Sequence, residues 1–173
     1  MLGKTRGIVL HSLKQGESGL ITKIYTEDNG LLAFFLRSTY SKKKGSATAL
    51  YQPLTKLELV LDVRESKTLH AIRSAQLSEA PPTFIFQPVK ACIGLFMAEV
   101  FMNSIEEEEG SPELFAFLWK WISYLDQANQ TADIPVSFML SLSMPLGFYP
   151  HMESKGEFFD LREGYFLNRI PDH

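Results

Sequence analysis

Leu20-Ile21-Thr22-Lys23-Ile24-Tyr25-Thr26-Glu27-Asp28-Asn29-Gly30-Leu31-Leu32-Ala33-Phe34-Phe35-Leu36-Arg37 contains two alternating runs joined by a turn signal, and its reading decides the fold of the first half of the chain. A period of two sends Leu20, Thr22 and Ile24 to one face and Ile21, Lys23 and Tyr25 to the other. In the second run Leu32, Phe34 and Leu36 share a face, with Phe35 and Arg37 opposite. Asn29-Gly30 supplies the backbone freedom of a tight turn, so the two runs are predicted as an antiparallel hairpin.

Further strands flank this hairpin. Gly7–Leu13 reads as a strand that leads into the turn Lys14–Gly19. Beyond a polar loop, Ser38–Ala47, with its three lysines, Leu57, Leu59, Leu61 and Val63 alternate against Lys56, Glu58 and Asp62. A fifth strand is expected from Thr68 to Leu77, where the apolar phase switches between Leu69 and Ile72 and suggests a bulge. Five short antiparallel strands, with a longer link between the third and fourth, predict a small closed barrel of the OB type.

The paired prolines Pro81-Pro82 end the strands, and helical periodicity takes over. A first helix starts at Pro88, with Val89, Cys92, Ile93, Phe96 and Val100 at helical spacing, and is apolar enough to be expected at the centre of the helical part. Ser111-Pro112-Glu113 is a helix start for a second, whose stripe is Leu114, Phe115, Leu118, Trp121, Ile122 and Leu125. A third runs from Pro135 to about Met144, and a hairpin turning at Glu163-Gly164 closes the chain. The predicted class is α+β: a five-stranded OB-fold barrel over residues 1–80, then an α-helical domain over 81–173.

The net charge of −3 hides a division: residues 1–80 carry 12 Lys+Arg against 7 Asp+Glu, net +5, and residues 81–173 carry 5 against 13, net −8. The basic half is a candidate for polyanions. Strands two and three would present Lys23, Tyr25, Phe35 and Arg37, cations for phosphates and rings for bases. The alternative is that Tyr25 and Phe35 dock the helical half. Arg6 and the run Lys42, Lys43 and Lys44 complete the candidate nucleic-acid-binding set, although a lysine run is also read as a solvated loop.

The chain carries no phosphate loop, dinucleotide fingerprint, nucleophile elbow or zinc-protease pair, and its four histidines are scattered. Glu106–Glu109 reads as a solvated face that repels DNA. The single cysteine, Cys92, is expected to be a buried inert thiol, and neither a metal nor a cofactor is predicted. No segment has the length and apolarity of a membrane span or a signal core, so the expected location is the cytoplasm.

Laid out in order, Lys4-Thr5-Arg6-Gly7-Ile8-Val9-Leu10, Gly16-Glu17-Ser18, Ile24-Tyr25-Thr26-Glu27, Leu50-Tyr51-Gln52-Pro53-Leu54, Pro112-Glu113-Leu114-Phe115 and Leu146-Gly147-Phe148-Tyr149-Pro150 resemble the RecO family of bacterial recombination mediators. The resemblance implies a non-enzymatic role in recombinational repair, on the nucleoid when on DNA. It implies binding of single- and double-stranded DNA, annealing of complementary strands, action with RecR to load RecA, and contact with the C-terminal tail of the single-strand-binding protein. Many family members carry a four-cysteine zinc module after the segment matching Gly147-Phe148-Tyr149-Pro150, which is absent here, and most are longer, so a shortened chain is expected. A reading of another class is an adaptor whose barrel docks a partner subunit with little affinity for DNA.

Overall fold

A computed structural model describes residues 2–16, 19–37, 47–62, 69–105, 110–150 and 155–171. The chain forms two compact units, Met1–Pro135 and Val136–His173. In the first, β1 (Leu2–Gln15), β2 (Gly19–Thr26), β3 (Gly30–Arg37), β4 (Lys56–Asp62) and β5 (Ala71–Leu77) form one antiparallel sheet in the order β3-β2-β1-β4-β5. A parallel bridge between Phe34 and His70, with the His70 N–H donating to the Ala33 carbonyl at 2.9 Å, brings the two ends of the sheet together. Five strands closed in this order give the expected OB barrel, and the class is α+β.

The interior follows the alternation of the strands. Val9, Ile24, Phe34, Leu57, Leu59 and Leu61 are buried together, and Tyr51, from a 3-10 turn over Ala47–Tyr51, joins them. Each such side chain contributes about 1.5–3 kcal/mol of burial. Gly7 has no room for a side chain, since a Cβ there would stand 2.7 Å from both Ile24 and Leu59. The β2–β3 turn places only Gly30 at positive φ, 67°. Thr26 Oγ1 donates to the Gly30 carbonyl at 2.9 Å and accepts from the Asn29 N–H at 3.2 Å.

β1 is longer than its apolar run because Leu2–Arg6 also pairs along β4. A register shift between Val9 and His11 changes which side chains of β1 point outward. Before it, Ile8 lies across from Tyr25; after it, His11 lies across from Lys23 and Leu13 across from Ile21. The irregularity expected in the fifth strand is observed as a second shift, Val60 pairing Ser74 and Leu61 pairing Ile72, which skips Arg73.

Two helices complete this unit. In α1 (Pro88–Ser104) the buried stripe is Lys90, Ile93, Gly94, Met97, Ala98 and Phe101. This corrects the expected stripe and central burial: Val89 and Leu95 are 65% and 56% exposed, and Cys92 is exposed rather than buried. A helix apolar on all sides offers no periodicity from which to choose a face. Gly94 makes the choice, because a Cβ there would stand 2.9 Å from the Phe84 ring and 3.2 Å from Leu54. Leu54 is the one non-glycine residue at positive φ among those described, 64°, and is 1% exposed.

α2 (Pro112–Gln127) begins as predicted, with Ser111 Oγ accepting from the Leu114 N–H at 3.2 Å, and buries Phe115, Leu118, Ile122 and Leu125. Its end is tied to the start of α1: Asp126 Oδ1 accepts from the Phe84 N–H at 2.8 Å, and Lys90 Nζ donates to the Asp126 carbonyl at 3.0 Å.

α3 (Ile134–Leu142) begins at the end of the first unit. In the second unit a turn closes at Gly147, φ 83°. The expected hairpin is present as β6 (Phe158–Asp160) and β7 (Tyr165–Leu167). Its turn is held by the Gly164 N–H donating to the Asp160 carbonyl at 2.8 Å and by Asp160 Oδ1 accepting from the Arg162 and Glu163 N–H groups.

Candidate nucleic-acid interface

The outer surface of the barrel carries two kinds of chemistry. Around Ile8, Tyr25 and Leu31 it is covered: Tyr25 is fully buried, its ring edge-on to Phe101 at 5.0 Å and stacked toward Phe115 at 6.4 Å. Its hydroxyl accepts from the Ser111 N–H at 3.3 Å, and burial raises its pKa above the ordinary phenol value. Tyr25 is therefore no platform for a base. It is the residue on which the helices dock, the alternative the sequence left open, and the physical reason is its position on β2 directly across from Ile8.

Arg6 faces the same helices. Its guanidinium lies 5.1 Å from the Trp119 ring centre and 5.4 Å from that of Phe115, and its Nε donates to Glu27 Oε2 at 2.7 Å while Nη2 donates to Oε1. This bidentate pair raises the arginine pKa and lowers that of Glu27. The fork that would grip a phosphate is already filled by a carboxylate.

Lys56, across from Ile8 on β4, is 6% exposed; its ammonium donates to Glu79 Oε2 at 2.8 Å and Ser123 Oγ at 2.7 Å and lies 4.5 Å from the Trp119 ring centre. Arg6, Trp119 and Lys56 thus form a cation–ring–cation stack between barrel and helix, flanked by Glu27 and Glu79. Alternation along β4 predicts Lys56 on the wet face, and it is on that face, under α2. An open recess of about 570 Å³ beside the stack is lined by Lys4, Arg6, Glu27, Asp28, Glu58 and Gln76, a mixture of signs.

The wall formed by β1, β2 and β3 beyond the first register shift is different. Two cross-strand rows point outward, His11–Lys23–Ala33 and Leu13–Ile21–Phe35. Leu13 is 56% exposed and Phe35 39%. The tip of the Phe35 ring rests over Gly19, where a Cβ would stand 2.8 Å from Cε2. Lys23 is half-buried on this wall, Lys14 is exposed at the end of β1, and none of the described residues in the two rows is a carboxylate. Arg37 is placed by its backbone as the last residue of β3, across from Gly19. Lys42, Lys43 and Lys44 lie outside the described residues, as does the run Glu106–Glu109.

Of the predicted set, then, the structure brings Lys23 and Phe35 onto one exposed wall and takes Tyr25 and Arg6 to the helix contact. Sequence reasoning missed Leu13, which the hairpin pairing places beside Ile21 and Phe35, because the phase of β1 depends on a bulge that its composition does not announce. Among the described residues no group of His, Cys, Asp and Glu is arranged to hold a metal ion, and no helix is long and apolar enough to cross a membrane.

The family model for the N-terminal part of recombination protein O matches residues 1–81, and the model for its C-terminal part matches residues 85–166. The chain belongs to the RecO family. It is 34% identical to the DNA repair protein RecO of Phocaeicola vulgatus over all of this chain and 73% of that protein. It is 37% identical to that of Bacteroides fragilis over 99% of this chain and 72% of the relative. The RecO of Christiangramia forsetii is 33% identical over 96% and 70%. The motif residues that carry the resemblance to RecO serve the architecture: Leu54 holds its strained backbone against α1, and Ser111, which precedes Pro112-Glu113, caps α2 and meets Tyr25.

Proposed function

We propose that this chain acts in recombinational DNA repair as a DNA-binding mediator that carries out no catalysis, in the cytoplasm and on the nucleoid when bound. It binds single and double strands through the outer wall of β1, β2 and β3, anneals complementary strands, and with RecR helps to load RecA on strands covered by the single-strand-binding protein, whose C-terminal tail it engages. Residues 1–80 supply the DNA contacts in this reading and residues 81–173 the contacts with protein partners. Membership of a family whose named members are DNA repair proteins supports the process.

The observation that carries the DNA contact is the division of the barrel surface. On the helix side Tyr25 is buried and the Arg6 fork is filled by Glu27, whereas Phe35 is 39% exposed on the wall that also bears His11 and Lys23. The nucleic-acid-binding residues proposed are therefore Lys23, Phe35, Arg37 and the lysines at 42, 43 and 44, without Arg6 and Tyr25.

The test is a titration of the whole chain with a single-stranded oligonucleotide and its duplex across a salt series. Affinity should fall linearly with salt on logarithmic axes, by about 0.7 in slope for each phosphate neutralised on a single strand. Absence of binding at low salt, beside intact binding of RecR, would overturn this reading in favour of the adaptor, which the exposed Leu13 also suits.

A further inference from the structure

We infer that the free edge of β5 is a docking site for an extended, basic segment of a protein partner, which adds a strand beside residues 74–77 and sends a lysine or arginine into the recess over Glu58. The inference does not depend on where DNA is held, and it adds a protein contact on the barrel itself.

β5 is the last strand of the sheet and is paired on one side only, to β4. The bridge that closes the barrel lies at His70, before the strand begins, and among the described residues none makes a backbone hydrogen bond to the other side of β5. The Ser78 N–H donates to the Lys56 carbonyl at 3.0 Å, with Leu57 paired to Leu77 beside it. An antiparallel ladder alternates from there, so Ser74 and Gln76 bond to β4, and Ala75 and Leu77 turn their N–H and C=O groups to the free side. Edge strands are ordinarily blunted by charge, proline or a bulge. The shift that skips Arg73 does this for the first half of β5, whereas Ser74, Ala75, Gln76 and Leu77 pair β4 in unbroken register and include no charge and no proline.

The side chains beside that edge decide what pairs with it. Ser74 and Gln76 are exposed and line the recess of about 570 Å³, with Val60 and Glu58 across from them on β4 and Lys4 and Arg6 beyond on β1. A strand added to β5 stands two strand spacings from β4, about 10 Å, a span that only a long side chain crosses. The recess holds Glu27, Asp28 and Glu58 against Lys4 and Arg6, and Arg6 is already matched by Glu27. Glu58 Oε2 accepts from Gln76 Nε2 at 2.7 Å, and its Oε1 has no partner among the described residues. A lysine or arginine at alternate positions of the added strand complements this excess of negative charge. A nucleic acid would add to the excess, and a second copy of β5 would bring only Arg73, which is paired with Asp62 at 2.9 Å.

The experiment titrates the whole chain with a seven-residue peptide alternating valine and arginine and follows amide hydrogen exchange. In the free chain Ala75 and Leu77 should exchange rapidly and Gln76 slowly; with the peptide all three should be protected. Glutamine in place of the peptide's arginines, or Glu58→Gln in the chain, should weaken binding about threefold at low salt, a difference that disappears at high salt. Ala75→Pro removes one outward N–H without touching the ladder to β4 and should weaken binding about tenfold. Should that variant fold poorly, peptides N-methylated on the valines or on the arginines test the unaltered chain, and one of the two should fail to bind. Binding that leaves Ala75 and Leu77 unprotected, or that neither methylated peptide weakens, would overturn strand addition. Binding that ignores Glu58 and the arginines would overturn the basic occupant, and an edge that the peptide never protects overturns the whole inference. Protection of Ala75 and Leu77 that rises with chain concentration in the absence of peptide would assign the edge to a second copy instead.

Discussion

Lys56 Nζ stands 4.5 Å from the centre of the Trp119 ring, and both side chains donate to one carboxylate, that of Glu79, at 2.8 and 3.1 Å. The lysine is 6% exposed and the glutamate 48%, so the buried charge belongs to the barrel and its compensation comes from the surface. Glu79→Gln replaces the charged partner of the ammonium by a neutral amide oxygen, beside the indole face and the Ser123 hydroxyl. The expected loss is about 1 kcal/mol. Lys56→Met removes the charge together with its need for a partner and should cost less. Urea unfolding followed by tryptophan emission measures both, and a larger loss in Lys56→Met would refute this account of the stack.

The same carboxylates set an acid response. Hydrogen bonds from Arg6 and Lys56 hold Glu27 and Glu79, respectively, below the ordinary value of 4.5, against an opposing effect of partial burial. A carboxylate whose folded pKa is depressed contributes stability that is present above its unfolded value and lost as pH falls through the folded value. The difference in melting temperature between the unaltered chain and Glu27→Gln should therefore be full at neutral pH and shrink below about pH 4.5. A difference that stays constant from pH 7 to pH 3 would show that the pair contributes nothing through its charge.

Ile8, Tyr25 and Leu31 are 0%, 0% and 6% exposed, on the outside of the barrel, because α1 and α2 lie over them. A chain cut after residue 80 keeps all five strands yet uncovers this patch. It is expected to bind an apolar dye and to unfold with poor cooperativity, whereas a chain cut after Pro135, the end of the compact unit, should unfold in one transition. Calorimetry of the two chains decides the matter; a cooperative barrel of residues 1–80 would mean that the helices are not needed to complete it.

The hairpin of β2 and β3 was legible from alternation and a glycine turn, because one face is packed inside and a period of two has a single solution there. The helix starts at Pro88 and Ser111 were legible for a similar reason: a proline in the first turn and a side-chain cap act within a few residues. What alternation could not reveal is who covers the outside. Tyr25 and Lys23 share a face in the sequence pattern, two residues apart, yet one lies under α1 and α2 and the other on the uncovered wall, and the difference is made by residues far along the chain, Phe101 and Phe115. Cys92 was misread for the complementary reason. Apolar neighbours on every side of α1 left the buried face to be chosen by Phe84 and Leu54 packing into the notch at Gly94.

That division gives a last prediction, which separates position from charge. Arg6 and Lys23 are both cations on the outer surface of adjacent strands, and composition alone would credit both with a phosphate. Arg6, however, meets Glu27 through two hydrogen bonds and rests on Phe115 and Trp119. A phosphate would have to displace a carboxylate already matched to the fork, in a neighbourhood that also holds Asp28 and Glu79. Arg6→Gln should therefore lower the melting temperature and leave the salt slope of DNA binding unchanged, although it removes one positive charge. Lys23→Gln should lower the slope by about 0.7 on single strands. Measuring slope and melting temperature on the same two variants tests the assignment directly, because a fall in slope for Arg6→Gln would place DNA on the helix side of the barrel instead.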